Sequence, residues 1–476
     1  MTRSPFLQTV FVIAERAIFL VPQVTMFVLI SRFYGRDLFG QYTLILTWAT
    51  LFQTLANFGI SECLAREIGR EPDRGSTYFT HGLVLGLVFG AIAMTLMVPA
   101  VWVMGYPSAL TAAILLAGGT LLPTGIVGAC RGVLLATRRI QYMVGVGAAE
   151  SITILVLNTY WVVHRAGLLM IVSTMVLAKL LAAALAFFIV QRRVARISFP
   201  LRRTVLRQLG YISAPFGVAA QLPAIRVDML LLSKLATFGT LALYSAASKV
   251  AELGLVLPLA FYLTMLPRVA ADLTQVDGPR TEGIRGAFAW YFAAVIPLGI
   301  GVMAFAEPVL RLAYGSAFVA GASLLRILMG AFLLTTVDAM LMVICRASGF
   351  QRADLKLVMV TSAVNWLLNA LLVPRFGVTG AAVATPLSIL VGMTLRWRLV
   401  SRSIVRLPWA GLIGPPAAAA LFLMPFVGPL SGRIPWPFVG IGYLIGYSAI
   451  AGVCFPFLRN ALRAALRHQG FLTPGA

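Results

Sequence analysis

The chain has 476 residues and a formal net charge of +23; 60% of its residues are hydrophobic and 11% charged, with a mean hydropathy of +0.92. That composition excludes a soluble globular domain and makes lipid the expected solvent. The excess of Lys and Arg does not point to nucleic acid, because the cations fall in short loops between apolar runs and no polar, basic domain is present.

A helix needs roughly 20 apolar residues to cross about 30 Å of hydrocarbon. Taken in chain order, apolar runs broken by Gly, Pro and charge predict spans over 6–31, 40–62, 78–104, 108–136, 142–163, 166–190 and 209–234. They continue over 240–265, 284–306, 322–345, 353–373, 378–400, 409–428 and 434–457. The first run carries Glu15 and Arg16 and lacks a short apolar core with a small-residue cleavage site, so it is expected to stay as a span.

Alternate loops differ in charge. One set holds Arg66, Arg70 and Arg74, then Arg138 and Arg139, then a run from Arg192 to Arg207, and later Arg352, Lys356, Arg396, Arg398 and Arg402. The other set is nearly bare, and its MGYPSAL loop has no charge. The positive-inside rule then places the rich set, and both termini, in the cytoplasm and requires an even number of spans. The longest loop, QRRVARISFPLRRTVLRQLG, lies between spans six and seven.

On either side of that loop the sequence echoes itself. Ser31, Arg32 and Tyr42 align with Ser233, Lys234 and Tyr244 at one shift of about 202 residues, and Asn158 and Gly167 match Asn369 and Gly377. The expected fold is therefore an all-α polytopic membrane protein of about 14 transmembrane helices. Two six-helix lobes, parallel pseudo-repeats at 1–195 and 196–405, would be followed by two C-terminal helices and a cytoplasmic tail in 406–476.

Charges inside spans cost roughly 2.5–3.5 kcal/mol on insertion scales, so they usually face water or a partner. They are Glu15 and Arg16 in span one, Glu150 in five, Lys179 in six, Arg226 and Asp228 in seven, Lys249 and Glu252 in eight, and Arg326 and Asp338 in ten. Counting helical rise from the outer boundary puts Arg226 and Lys249 at similar depth, roughly 12 to 14 Å in. With Arg16 they form a set of cations suited to a diphosphate, because Arg presents a planar fork and Lys a mobile point charge.

Plainer roles compete with these. Lys249 and Glu252, three apart, can neutralise each other on one helix face. Glu15 with Arg16, and Arg226 with Asp228, are spaced so that they point apart on a continuous helix. Glu15, Glu150, Lys179, Asp228, Glu252 and Asp338 read either as ion-coupling groups or as interhelical polar contacts. Arg326 sits near a helix end and suits snorkelling, and Tyr42 and Tyr244 read as membrane-interface anchors.

Catalytic patterns are absent from the sequence. His81, His164 and His468 are scattered, and Cys63, Cys130, Cys345 and Cys454 have neither disulfide nor metal spacing. No nucleotide-binding glycine loop occurs, so no enzyme activity, cofactor, metal or ATP-driven step is expected. Short loops argue against a glycan polymerase or ligase, and no channel filter is found.

The order and spacing of several strings carry a family resemblance. They are SRFYGRDLFGQYTLILTWATLFQTLANFGISECLAREIGR, with a glycine turn expected at Gly40 and then Tyr42, Phe58, Gly59 and Arg66-Glu67; RVDMLLLSKLATFGTLALYSAASKVAELGLVLPLAFYLTMLPRVA; LRLAYGSAFVAGASLLRIL; and NALLVPRFGVTGAAVATPLS. Across essentially its whole length the chain resembles the polysaccharide and oligosaccharide-lipid (O-antigen-type) flippases of the multidrug/oligosaccharidyl-lipid/polysaccharide exporter superfamily.

The resemblance implies a V of two lobes around a cationic cavity lined by spans one, two, seven and eight, working by alternating access. It implies translocation of a polyprenyl-diphosphate-linked oligosaccharide across the bacterial inner membrane for surface polysaccharide biosynthesis. Arg16, Arg226 and Lys249 carry over as cavity cations, and a glycan polymerase and glycosyltransferases become candidate partners beside the lipid bilayer. The alternative is a cation-coupled multidrug or small-solute exporter of the same superfamily, which would bury carboxylates to bind organic cations.

Overall fold

Inside hydrocarbon every backbone N–H and C=O must be satisfied within its own segment or by close neighbours. All regular elements among the described residues are accordingly helical. The computed structural model describes the backbone of residues 5–274, 282–404, 409–431 and 436–454, with side chains described from residue 22 apart from short stretches.

Two helices are far too long for one crossing. α1 (Pro5–Asn57) and α15 (Gln351–Ser403) have 53 residues each, which would reach about 80 Å if straight. Each folds back at a glycine with positive φ, Gly35 (φ 77°) and Gly377 (φ 55°), a conformation that residues with a Cβ rarely adopt. In α1, the Phe27 ring meets Phe39 at a tilt and Tyr42 edge-on, with ring centroids 5.8 and 6.2 Å away. In α15, Asn365 Nδ2 donates to Ser388 Oγ at 3.0 Å, and Gly392 lies against Thr361, pairs that mirror each other about Gly377. Both helices are antiparallel hairpins, as the predicted span pairs require. The turn expected at Gly40 is at Gly35 instead. Gly40 is helical, and its missing side chain lets the Phe238 carbonyl approach.

Between them run α2 (Ile60–Arg70), α3 (Gly75–Val103), α4 (Ser108–Ala117), α5 (Leu121–Ala136), α6 (Gln141–Val163) and α7 (Leu168–Arg193). Next come α8 (Arg203–Ala224), α9 (Val227–Leu235), α10 (Phe238–Gly254), α11 (Val256–Thr274), α12 (Glu282–Ala304), α13 (Ala306–Tyr314) and α14 (Ala322–Ala347). α16 (Trp409–Ser431) and α17 (Trp436–Cys454) follow α15. With α1 and α15 counted as two each, α4/α5, α8/α9 and α10/α11 as interrupted single passages, and the short α2 and α13 as extensions of the passages before them, the described residues make fourteen helical passages. Among the described residues, nine segments are long and apolar enough to cross a membrane. The chain is a multi-pass membrane protein.

Spans seven and eight are not continuous, contrary to expectation. Ile225 is extended (ψ 96°) between α8 and α9, just after Pro223, which withholds an N–H from the helical ladder. α10 stops at Gly254, and Leu255 N–H closes a tight bond to Glu252 O at 3.0 Å before α11 begins.

Packing divides the chain into two units, Met1–Ala242 and Leu243–Ala476. In the first, helices meet backbone to backbone. A Cβ on Gly86 of α3 would stand 2.5 Å from the Gly125 carbonyl of α5, and one on Gly132 would stand 2.7 Å from Leu64 Cβ of α2. Lipid tails are as apolar as Leu, so helices in a bilayer gain by close approach, and glycine permits it. α8 joins this unit through a reciprocal fit. Gly59, with φ 75°, faces Phe216 and Ser213, while Gly217 receives the ring of Phe58.

In the second unit, α12, α14 and the α15 hairpin pack together. α16 and α17 lie on α12, where Trp409 meets Phe288 and Tyr443 Oη donates to Pro297 O at 3.2 Å. Tyr42 and Tyr244 are core residues, 4% and 1% exposed, and not the interface anchors expected of them. Cys63, Cys130 and Cys345 are buried free thiols.

Candidate functional site

Arg226 stands at the N-terminus of α9 with a non-helical backbone (φ −80°, ψ 71°). That interruption overturns the expectation that Arg226 and Asp228 point apart. Released from helical geometry, Arg226 Nη2 donates to Asp228 Oδ2 at 2.9 Å, and Nε to Oδ1 at 3.1 Å. Asp228 is in the first turn of α9, where the helix dipole favours negative charge, and its burial leaves the Arg226 side chain the more accessible partner, 32% exposed against 9%. Leu230 N–H donates to Arg226 O at 3.1 Å, so the arginine also caps the helix it precedes.

Lys249 belongs to α10, shortly before that helix ends. Its Nζ donates to Glu252 Oε2 at 2.6 Å, the i,i+3 neutralisation open from the spacing. Both candidate cations therefore sit beside helix interruptions, and both are held by a carboxylate that reduces the penalty of placing charge in a membrane. The Arg226 side chain stays 32% exposed, and its planar fork suits phosphate oxygens. The side chains of Glu15 and Arg16 lie outside the described residues.

The remaining intramembrane charges divide between the two units. Glu150 of α6 and Lys179 of α7 form an interhelical ion pair in the first unit. Asp338 belongs to the second, where it pairs with Arg396. Arg326 is exposed and meets Glu307 at 3.1 Å.

Arg396 was expected in a basic loop. It is instead 2% exposed, because the α15 hairpin runs on to Ser403 and turns this position inward. Its Nη2 reaches Asp354 Oδ1 at 3.0 Å, and Arg346 Nε reaches Asp354 Oδ2 at 2.7 Å. Arg346 Nη1 also donates to Tyr262 Oη at 3.3 Å. Sequence reasoning missed this tetrad of Asp338, Arg346, Asp354 and Arg396. The available signal was Asp354 itself, a lone acid in the basic string QRADLK.

Residues 9–271, more than half of the chain, match the family described as polysaccharide biosynthesis protein. The chain belongs to that family. The matched segment runs from α1 into α11 and includes Arg16, Arg226 and Lys249. Over 249 residues the chain is 22% identical to Agl15 of Haloferax volcanii, a probable low-salt glycan biosynthesis flippase. That alignment covers 51% of this chain and 52% of Agl15, so the chain spans about half the length of this curated relative.

The family member's fold is also similar to that of the lipid II flippase MurJ in an inward closed conformation. The TM-score is 0.77 at 13% identity, covering 94% of this chain and 99% of MurJ. An inward-facing multidrug resistance MATE family transporter of the MOP superfamily is similar at a TM-score of 0.60 and 17% identity, over 83% of this chain and 94% of that one. At these identities the likeness to MurJ and MATE is one of fold.

Proposed function

We propose that this family member flips a polyprenyl-diphosphate-linked oligosaccharide across a bacterial inner membrane for surface polysaccharide biosynthesis. The observation that carries the reading is Arg226, a partly accessible cation at a helix interruption within the family-matched segment. Interrupted membrane helices are where transporters commonly build substrate sites, because unwound backbone and helix ends supply polar groups at depth. A polar glycan cannot enter hydrocarbon unaided, whereas a polyprenyl tail can remain in it. Arg16, Arg226 and Lys249 would hold the diphosphate while lobes at 1–195 and 196–405 alternate access. Both termini would be cytoplasmic, and a glycan polymerase and glycosyltransferases would act before and after transport.

Agl15 and MurJ, named as flippases, support this reading. The cation-coupled exporter alternative calls for carboxylates available to organic cations. Glu150, Asp228, Glu252 and Asp338 each carry a basic partner instead.

The test is Arg226→Gln with Lys249→Gln in a strain that depends on the chain for glycan display. Surface glycan should fall and lipid-linked glycan accumulate, with protein abundance in the membrane unchanged. Normal display by the double variant would sink the assignment. Asp228→Asn added to Arg226→Gln separates loss of the cation from a stranded carboxylate. A cytoplasm-active reporter after Arg203 should be active and one within MGYPSAL silent; the reverse would refute the orientation.

A further inference from the structure

From Glu150 to Asp228 the sequence holds no acidic residue in between, yet Arg192, Arg193, Arg196, Arg202, Arg203 and Arg207 crowd the end of α7 and the start of α8. All six are exposed, and none makes an ion pair among the described residues. Elsewhere on the surface Arg66, Arg70 and Arg74 do have Glu67 or Glu71 as partners. The charge of the α7–α8 connection is therefore uncompensated by the protein itself.

The connection is also held in place. Ile197 N–H donates to Gln191 Oε1 at 3.1 Å and Ser198 N–H to Thr80 Oγ1 at 2.9 Å. Arg202 N–H donates to Nε2 of the buried His81 at 2.9 Å, while His81 Nδ1 bonds Thr77 O at 2.7 Å. With the backbone tied inward, the side chains from Phe199 to Thr204 are all exposed. Phe199 is 76% exposed, and Ile197 and Leu201 are exposed beside it, although all three lie beyond the end of α7 and before the start of α8.

An apolar trio among uncompensated arginines matches a layer where acyl chains meet phosphates. Aromatic and aliphatic groups enter the acyl boundary, and arginines fork the phosphate oxygens. Tethering between two membrane helices keeps the strip beside that layer, so encounter needs no diffusional search. An acidic soluble protein would answer the charge but would have to compete with headgroups already present at high local concentration.

We propose that residues 192–207 form an interfacial foot that binds anionic phospholipid headgroups of the leaflet on its own side, with Phe199 and Leu201 inserted and the arginines on phosphate. The foot extends the protein's contacts beyond the transported ligand and does not depend on which substrate is carried.

Native mass spectrometry of the full chain, released from bilayers holding equal phosphatidylglycerol and phosphatidylcholine of the same acyl chains, tests this. Wild type should retain phosphatidylglycerol about threefold or more over phosphatidylcholine. Arg192→Gln, Arg196→Gln, Arg202→Gln and Arg203→Gln together should bring the ratio close to one. Equal retention by wild type, or an undiminished preference in the variant, overturns the proposal. Independently, a fluorophore on Phe199→Cys, with Cys454→Ser, should be quenched by headgroup-spin-labelled lipid. Quenching by aqueous acrylamide and not by that lipid overturns it as well.

Discussion

The two packing units solve one problem by different means. Helices in lipid gain little from hydrophobic burial against each other. The first unit answers with glycines, so that α3 and α5 touch through their main chains at Gly86 and Gly125. The second adds a charge tetrad larger than the single Glu150–Lys179 pair of the first, with Arg396 and Asp354 buried at its centre, 2% and 1% exposed, and Asp338 and Arg346 partly accessible. Each dispersion contact between main chains is small and can be lost piecemeal, whereas removing one member of a buried ion pair leaves its partner's desolvation uncompensated, which is close to an all-or-none loss. The first unit should thus loosen under substitution, and the second should fail when one charge is left alone.

The sharpest way to break that contrast is Asp354→Ala. It leaves the buried Arg396 with Asp338 alone and takes the carboxylate from Arg346, and should destabilise the chain by about 3–5 kcal/mol, read as thermal unfolding of purified protein in nanodiscs. Replacing the paired charges together, Arg396→Met with Asp354→Leu and Asp338→Asn, should recover part of that loss. If the combined change is as damaging as the single one, the all-or-none account is wrong.

Gly125→Val should have the next largest effect, about 1–3 kcal/mol, because its branches must displace the Gly86 backbone. Gly145→Ala is the matched control, since nothing lies within 4 Å of a Cβ there, and its unfolding temperature should not fall. Arg326→Ala sits at the bottom of the scale. Its partner Glu307 is half exposed, so a loss of about 0–1 kcal/mol is expected in the same assay. A larger loss would show that exposed pairs matter more in this fold than burial implies.

Much of the architecture was legible because spanning a bilayer imposes a length and a polarity that leave few alternatives. Predicted spans 108–136 and 142–163 fall on α4/α5 and α6 to within a residue. The i,i+3 pair of Lys249 and Glu252 was equally readable, since it needs one helix only. Arg226 with Asp228 was not, because an uninterrupted helix forbids the contact that the break at Ile225 creates. Gly40 and Gly35 exchanged roles for a related reason. A glycine in the sequence does not say whether φ or a neighbouring carbonyl demands it, and Phe238, which decides the case, is almost 200 residues away.

Apolar runs, loop charge and the presence of a break inside each 53-residue helix were determined by the sequence alone, because each follows from what a single segment must do to enter lipid. Tertiary structure alone decided which charges are buried together. Asp338 and Arg396 are 58 residues apart, and Arg346 and Tyr262 are 84 apart. Only the α15 hairpin and its packing on α14 and α11 bring them within a hydrogen bond, at distances where a loop cation becomes the centre of a buried network.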